Sequence, residues 1–175
     1  LLGETSDDAC GEAFDKVAKI LGLGYPGGPL IEKLALKGDR KKIKFSCSNT
    51  KNPLGFSFSG IKTAVLYLVK SKRLTPDLKK DIAASFQEAV VDVLVKKSIL
   101  ACREKKVKRL VVGGGVALNN RLRLKLSQAS SESGIKAYFP SSGYCMDNAA
   151  MVAGLGYQLF KKGISSDLNL TLEQR

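Results

Sequence analysis

The fold class is decided by the stretch Arg109-Leu110-Val111-Val112-Gly113-Gly114-Gly115-Val116, which Asn119-Asn120 and a basic helix follow. Its first four residues predict a buried strand. A strand that ends in glycines and opens a helix lets the backbone approach a ligand closely and points free helix N–H groups toward it. In an open α/β sheet, ligands usually bind beyond the carboxyl end of such a strand. A tight turn that needs glycine for positive φ explains the same residues, and both interpretations stay open here.

Neither standard phosphate-loop signature accompanies these glycines, because the run is not G-x-G-x-x-G and no G-x-x-x-x-G-K-[ST] occurs in the sequence. Apolar periodicity and capping residues predict mostly helices around the glycine-ended strand. Thr75 followed by Pro76 predicts a helix start. The predicted apolar stripes are Phe14, Val17, Ala18 and Leu21 in the first helix and Ile82, Phe86, Val90, Val93 and Leu94 in the longest one. The predicted helices cover residues 9–23, 30–37, 59–72, 77–105, 118–131 and 149–162, and the predicted short strands cover 41–45, 109–112 and 135–139. Residues 22–29 are predicted to be a loop. The sequence therefore predicts a helix-rich α/β fold with a small sheet.

The composition indicates a globular protein that attracts polyanions. The chain has 175 residues, 44% of them hydrophobic, and a formal net charge of +13. Basic residues cluster at 40–44, 103–109 and 121–125, among other places. Such a surface favours salt-dependent nucleic-acid binding, although lysines that only solvate helix faces would look similar. With no Trp and few aromatic residues, stacking on single-stranded bases is not expected.

Cysteine and histidine usage narrows the possible chemistry. The four cysteines are far apart and form no C-x-x-C, so we expect reduced thiols and a cytoplasmic location rather than a disulfide framework or a cysteine zinc site. The absence of histidine excludes Ser-His-Asp triads and His-ligated metals from what this chain can build alone. No apolar run approaches the roughly 18 residues of a membrane helix, so no membrane partner is expected. The start at Leu1, without Met or a basic leader, suggests a fragment whose upstream portion is missing.

Three loops combine glycine or an element end with a short polar side chain, which is the local chemistry that a small polar ligand requires. They are Asp15 with Gly27-Gly28, residues 113–119, and Asp147-Asn148. Each has a plainer explanation. Asp147 precedes a predicted helix and fits an ordinary N-cap. Asp15 fits a solvated surface carboxylate, and Gly27-Gly28 fits a simple turn.

Five ordered blocks extend over nearly the whole chain and resemble one family, the tRNA N6-adenosine threonylcarbamoyltransferases, long labelled sialoglycoprotein endopeptidases. The blocks are residues 4–29, 56–63, 81–89, 113–119 and 145–148. The first two are similar to the bacterial and organellar branch. The resemblance implies an actin- and Hsp70-like ATPase (ASKHA) fold with two ribonuclease-H-like lobes around a nucleotide cleft. Residues 1–175 would be most of the second, C-terminal lobe, with a truncated sheet and the N-terminal lobe absent.

The resemblance also implies substrate contacts and partners. Asp15 and Gly28 match positions that bind threonylcarbamoyl-AMP or ATP, and Asn119 matches another substrate contact. The implied partners are tRNA, threonylcarbamoyl-AMP and the companion subunits TsaB and TsaE of the bacterial complex. No catalytic general base is identified in this sequence.

The implied cofactor is one divalent metal ion, Fe²⁺ or Zn²⁺, with Asp147 as its carboxylate ligand. The family's other two ligands come from an upstream His-x-x-x-His motif that this sequence lacks. Such an ion would act as a Lewis acid on the carbamoyl carbonyl. The sequence also departs from the family pattern at Met146, where Thr is usual, and at Gly113, where Ala is common.

The activity implied by the resemblance is transfer of the threonylcarbamoyl group from threonylcarbamoyl-AMP to N6 of adenosine 37 in tRNAs that read codons beginning with A. This chain alone is expected to be inactive, because half of the cleft and two metal ligands are missing. Two alternatives remain. One is a sugar or acetate kinase lobe on the same fold, and the other is a non-catalytic lobe that docks RNA or partner subunits.

Overall fold

The computed structural model describes residues 1–167 and 169 and has a helix-rich α/β architecture. Its helices are α1 (Cys10–Ile20), α2 (Gly27–Ala35), α3 (Ser59–Ser71), α4 (Pro76–Glu104), α5 (Asn120–Glu132) and α6 (Ala149–Lys161), and its strands are β1 (Arg109–Val111) and β2 (Lys136–Tyr138). Two 3-10 turns lie at Gly115–Leu118 and Ser142–Tyr144. Among the described residues, no helix combines the length and the apolar character needed to cross a bilayer. The predicted fold class is thus confirmed at the level of a helix-rich α/β chain with a small sheet.

Helix α4 is the element against which α1, α2, α3 and α5 pack. It begins as the sequence predicts, since Thr75 is the N-cap whose side chain accepts a hydrogen bond from the Leu78 amide (3.2 Å), and Pro76 occupies the first helical position. Its 29 residues give a rod about 44 Å long. Such a length allows α4 to serve two separate hydrophobic clusters.

The first cluster, which we call the α1–α4 core, joins α1, α2 and α3 to the first half of α4. Phe14 and Phe86 meet edge to face at its centre, with ring centroids 5.1 Å apart. Its fully buried apolar side chains include the predicted stripe of α1 and the first residues of the predicted α4 stripe: Phe14, Val17, Ala18, Leu21, Ile61, Val65, Ile82, Phe86 and Val90. Apolar periodicity therefore predicted the share of this core that α1 and the start of α4 contribute, whereas Ile31, Ala35 and Phe58 were not predicted.

The second cluster, the α4–α5 core, lies along the other half of α4. Val91, Val95 and Ile99 of α4 pack with Leu122 and Leu126 of α5. Strands β1 and β2 are parallel, with Leu110 opposite Ala137, and α5 forms the crossover between them. This β-α-β unit places the glycine loop at the carboxyl end of β1, beside the start of α5.

Helix α6 has a different environment, because every one of its residues is exposed. Its apolar side chains include Val152, Leu155 and Phe160, the last 75% exposed. Val111 of β1 is 79% exposed as well. Helix α6 and strand β1 thus each carry uncovered apolar surface.

Two predictions for the segments around α2 are wrong. Residues 41–45 form turns and irregular backbone instead of a strand, because the Ile43 amide donates to the Ser85 hydroxyl of α4 (3.2 Å) rather than to a neighbouring strand. Residues 27–29 belong to α2 instead of the predicted loop. Their helical conformation is supported by the Asp15 carboxylate, which accepts a hydrogen bond from the first helical amide, and proline is tolerated in a first turn.

Candidate functional site

One cavity brings together three of the four predicted site residues. We call it the glycine cavity; its volume is about 390 Å³. It lies between α1, the start of α2 and the turn after β1. Its lining comprises Gly11, Phe14, Asp15, Tyr25, Pro26, Gly28, Pro29, Glu32, Gly115, Val116, Leu118, Asn119 and Met146. An apolar cleft with a few convergent polar groups is the usual form of a small-molecule site.

Asp15 and the two glycines form the α2 side of the glycine cavity. Asp15 is half-buried, and its Oδ1 accepts a hydrogen bond from the Gly27 amide at 2.7 Å, so this carboxylate caps the N-terminus of α2. A Cβ at Gly27 would lie 2.6 Å from the Asp15 Cα, which explains why glycine is needed there. A Cβ at Gly28 would meet nothing within 4 Å, and the Gly28 amide has no acceptor among the described residues. Neither the solvated-carboxylate nor the simple-turn explanation therefore describes this corner.

Asn119 forms the opposite wall and is only 7% exposed. Its Oδ1 accepts a hydrogen bond from the Leu122 amide (3.0 Å) and so caps α5, while its Nδ2 donates to Gln87 Oε1 (2.8 Å). Glu32 Oε1 accepts from the Asn120 amide at 2.6 Å. The Asn119 side chain is therefore held in a fixed orientation between α4 and α5. Its contact with substrate stays a prediction.

The glycine loop after β1 has open backbone, and its residues Gly115 and Val116 line the glycine cavity. A Cβ added at Gly113, Gly114 or Gly115 would meet nothing within 4 Å. Gly114 has a φ of 88°, a conformation that disfavours any residue with a side chain. Among the described residues, the amides of 113–116 have no hydrogen-bond acceptor. Successive free amides of this kind suit an anionic ligand.

Asp147 is the fourth predicted residue, and it stands at the edge of this arrangement. Its neighbour Met146 lines the cavity, whereas Asp147 itself is exposed. The ordinary N-cap explanation for Asp147 is wrong, because Asn148 caps α6 by accepting a hydrogen bond from the Met151 amide (3.0 Å). Among residues 1–167 and 169, no group of three or more His, Cys, Asp or Glu side chains could hold an ion. The described part of the chain does not form a complete metal site.

Two ion-pair clusters near the cavity hold their carboxylates charged. Glu88 follows Gln87 on α4, and hydrogen bonds from Arg121 (2.8 Å) and Lys125 (2.7 Å) lower the pKa of Glu88 to about 2. Hydrogen bonds from Lys16 and Lys62 (2.7 Å each) likewise lower the pKa of Asp8 to about 2. These clusters tie α4 to α5 and α1 to α3.

The four cysteines are free thiols. Burial raises the pKa of the Cys10 thiol to about 12 and that of Cys47 to about 11. Both thiols are therefore protonated at neutral pH and poorly nucleophilic.

Sequence reasoning missed the side chains that complete the cavity walls. Glu32 lines the cavity, and Gln87, which lies outside the lining but within the block 81–89, bonds to Asn119; neither residue was assigned a role. Their contacts with the start of α5 follow only from the way the helices cross. Tyr25, which also lines the cavity, is 83% exposed. The one signal for Tyr25 in the sequence was its position in the loop Gly24-Tyr25-Pro26-Gly27.

The chain matches one protein family over most of its length. The model of the tRNA N6-adenosine threonylcarbamoyltransferase family matches residues 1–154. The enzyme of that name from Thermosipho africanus is 53% identical over 97% of this chain and 52% of its own length, and the one from Thermotoga neapolitana is 48% identical over 99% and 53%. The chain thus spans about half the length of these curated relatives.

Solved structures show a similar fold at low sequence identity. The crystal structure of HypF from T. kodakarensis is 20% identical, with a TM-score of 0.68 over 90% of this chain and 21% of that one. Full-length HypF in its phosphate- and nucleotide-bound form gives a TM-score of 0.63. The family match, rather than this likeness, decides between the resemblance and the kinase alternative. The chain belongs to the tRNA N6-adenosine threonylcarbamoyltransferase family.

Proposed function

We propose that this chain supplies the adenylate-holding half of an enzyme that transfers the threonylcarbamoyl group of threonylcarbamoyl-AMP to N6 of adenosine 37 in tRNAs reading codons beginning with A. Family membership supports the reaction. The observation that carries the role of this half is the glycine cavity, where Asp15, Gly28 and Asn119 meet beside the open glycine loop. By itself the chain is expected to bind the nucleotide without completing the transfer.

The reaction needs positioning and charge stabilisation. The adenosine N6 amine attacks the carbamoyl carbon and loses one proton, while the bond from that carbon to the phosphate oxygen breaks and AMP leaves with the electron pair. Negative charge therefore grows on the carbamoyl oxygen and on the leaving phosphate. Donors fixed before the reaction stabilise such charge without reorganisation.

Different residues of the glycine cavity bind different parts of an adenylate. Asp15 uses Oδ1 to cap α2, so its Oδ2 is available to accept hydrogen bonds from ribose hydroxyls. The amides of Gly28 and of residues 113–116 are available as donors to phosphate oxygens. Tyr25 and Val116 offer apolar surface to a purine ring. The fixed orientation of Asn119 keeps the start of α5 against this space.

The remaining features of the complete enzyme belong to the same proposal. Residues 1–175 would form the second ribonuclease-H-like lobe of an ASKHA fold. Asp147 would provide one carboxylate ligand to Fe²⁺ or Zn²⁺, with two histidines from outside this chain. TsaB and TsaE would be companion subunits in the cytoplasm. The exposure of Asp147 and its place next to Met146 are compatible with a ligand shared with another segment.

The proposal is tested by titrating AMP into the chain in a calorimeter. Gly28→Leu fills the glycine cavity without a clash at Cβ, so it should weaken AMP binding by about tenfold or more while leaving the fold intact. The matched control is Gly154→Leu, a helical glycine in α6 that also faces open space. The control should bind AMP like the unaltered chain.

Two results would contradict the assignment. One is AMP binding that Gly28→Leu leaves unchanged, because the nucleotide would then lie outside the glycine cavity. The other is the absence of AMP binding by a chain whose circular dichroism shows it to be folded. That second result would favour a lobe that docks RNA or protein without holding the nucleotide.

A further inference from the structure

A continuous trough leads from the glycine cavity to a basic loop. Glu32 lines the glycine cavity and also a second concavity of about 370 Å³ between α2, α4 and α5. That concavity shares Arg40, Glu88 and Arg121 with a third one of about 720 Å³. Because neighbouring concavities share lining residues, we treat the second and third as one surface feature, the α2–α5 trough.

The far end of the trough carries cations without acidic partners. Arg40, Lys41 and Lys44 line it and are exposed, and among the described residues none of their side-chain nitrogens lies within 4.0 Å of a carboxylate oxygen. Four carboxylates also line the trough. Glu32 accepts a hydrogen bond from the Asn120 amide and Asp39 accepts one from the Lys41 amide. Glu88 is paired with Arg121 and Lys125, and Asp92 is paired with Lys125.

These cations are mounted on a fixed loop. The Asp39 amide donates to Asp81 Oδ1 (2.9 Å), the Ser85 hydroxyl donates to the Asp39 carbonyl (3.2 Å), and the Ile43 amide donates to that same hydroxyl (3.2 Å). Three hydrogen bonds to one face of α4 thus bracket residues 39–43. A basic segment held in this way loses less conformational entropy on binding than a free tail would.

We propose that the α2–α5 trough binds the phosphodiester backbone of the RNA strand next to the nucleotide that is modified. The inference rests on the proposed function for the identity of the RNA. It adds where on this chain the strand runs: from the glycine cavity past Glu32 and over Arg121 to Arg40, Lys41 and Lys44. Backbone contacts of this kind set affinity and register without reading sequence.

Binding of an unmodified tRNA with adenosine at position 37 tests the proposal. The triple variant Arg40→Ala, Lys41→Ala, Lys44→Ala should bind this tRNA about tenfold more weakly at low salt. The slope of log K against log salt should become less negative by about 2 to 3, since each lost phosphate contact removes roughly one. AMP binding should stay unchanged, because none of the three residues lines the glycine cavity.

The matched control removes the same charge elsewhere. Lys70→Ala, Lys72→Ala, Arg73→Ala alters three exposed cations at the end of α3 that line none of the three concavities. It should change tRNA affinity less than threefold. Equal losses for the two triple variants would overturn the proposal, since binding would then follow net charge alone.

Two further outcomes distinguish this proposal from a binding site for an acidic protein and from the nucleotide assignment. If the trough variant leaves tRNA binding intact but weakens binding of polyglutamate, the trough serves an acidic protein and the proposal is wrong. If AMP fails to bind the unaltered chain while the trough variant still loses tRNA affinity selectively, the nucleotide assignment fails and the trough assignment stands. The two failures are therefore distinguishable.

Discussion

Two regions of this molecule, the α1–α4 core on one side and the elements β1 and α6 on the other, differ in how their apolar side chains are covered. In the α1–α4 core, Phe14 and Phe86 are almost completely shielded from solvent by four helices. In β1 and α6, by contrast, Val111 and Phe160 are mostly exposed. Both sides have apolar sequence, so composition does not distinguish them. The difference is that one apolar surface finds its partner within the described chain and the other does not.

The contrast assigns different tasks to the two sides. Apolar surface that is already buried stabilises the fold, whereas contiguous exposed apolar surface marks an association site or an aggregation hazard. We therefore expect mutations in the α1–α4 core to change the free energy of unfolding. Mutations on α6 should change self-association instead.

The largest expected effect is at Phe86. Phe86→Ala should destabilise the chain by about 3–5 kcal/mol, because it removes a fully buried ring and its edge contact with Phe14. Phe160→Ala, the same change on exposed α6, should alter stability by about 0.5 kcal/mol or less. Urea unfolding followed by circular dichroism measures both. Similar losses for the two variants would erase the distinction between the two sides.

The two asparagine caps sharpen the comparison. Asn119→Ala should cost about 2–3 kcal/mol, because it removes the cap of α5 and leaves the buried Gln87 amide without its partner. Asn148→Ala removes the cap of the uncovered α6 and should cost about 0.5 kcal/mol. Thermal unfolding of the two variants under one buffer tests the difference. A costlier Asn148 variant would show that α6 contributes to the fold after all.

Acid should weaken the covered side through Glu88. The pKa of Glu88 is about 2 in the folded chain, against an ordinary value near 4.5, because Arg121 and Lys125 donate to its carboxylate. A folded-state pKa below the unfolded one stabilises the fold above about pH 4.5, and this contribution is lost as the pH falls toward 2. The gap in urea midpoint between the unaltered chain and Glu88→Gln should therefore shrink from pH 6 to pH 3.

The control for the acid experiment is Glu104→Gln. Glu104 is exposed and makes no ion pair among the residues that the structure describes. Its variant should track the unaltered chain at each pH. A gap for Glu88→Gln that stays constant down to pH 3 would show that its partners do not stabilise the charged form.

The smallest stability change is expected on α6 itself. Leu155→Gln with Phe160→Gln should leave the unfolding midpoint nearly unchanged, since both side chains are exposed. The same pair should reduce concentration-dependent light scattering and the binding of an apolar dye. Tyr67→Gln, at an exposed aromatic of α3, is the control and should change neither. Unchanged light scattering in the α6 variant would show that the exposed apolar surface of α6 does not drive self-association.

Local chemistry predicted most of the helical fold. The Thr75-Pro76 start of α4 and the apolar stripe of α1 follow from rules that act within a few residues, and both predictions are confirmed. The predicted strand at 41–45 is wrong because the Ile43 amide bonds to the Ser85 side chain of α4, and the amides of Lys41 and Lys42 bond to Asp39. Ile43 and Ser85 are 42 residues apart in the sequence, and local sequence patterns do not predict a contact over such a separation.

The candidate site was predictable to a similar depth. Glycines and short polar residues pointed to three loops, and the family resemblance selected Asp15, Gly28, Asn119 and Asp147 within them. The first three share one cavity, and Asp147 lies outside its lining. That Asp15 also caps α2, and that Asn119 is tied to Gln87, could not be predicted, because each contact depends on how two helices cross. The substrate and metal roles of these residues stay predictions.

Helix α4 has a consequence for how the molecule opens. Residues 82–90 of α4 contribute to the α1–α4 core and residues 91–102 to the α4–α5 core. The middle of this helix is therefore held by both cores. Backbone amides near residues 86–95 can exchange with deuterium only when both cores separate. Those amides should be the slowest in the chain to exchange, and α6 the fastest of the helices.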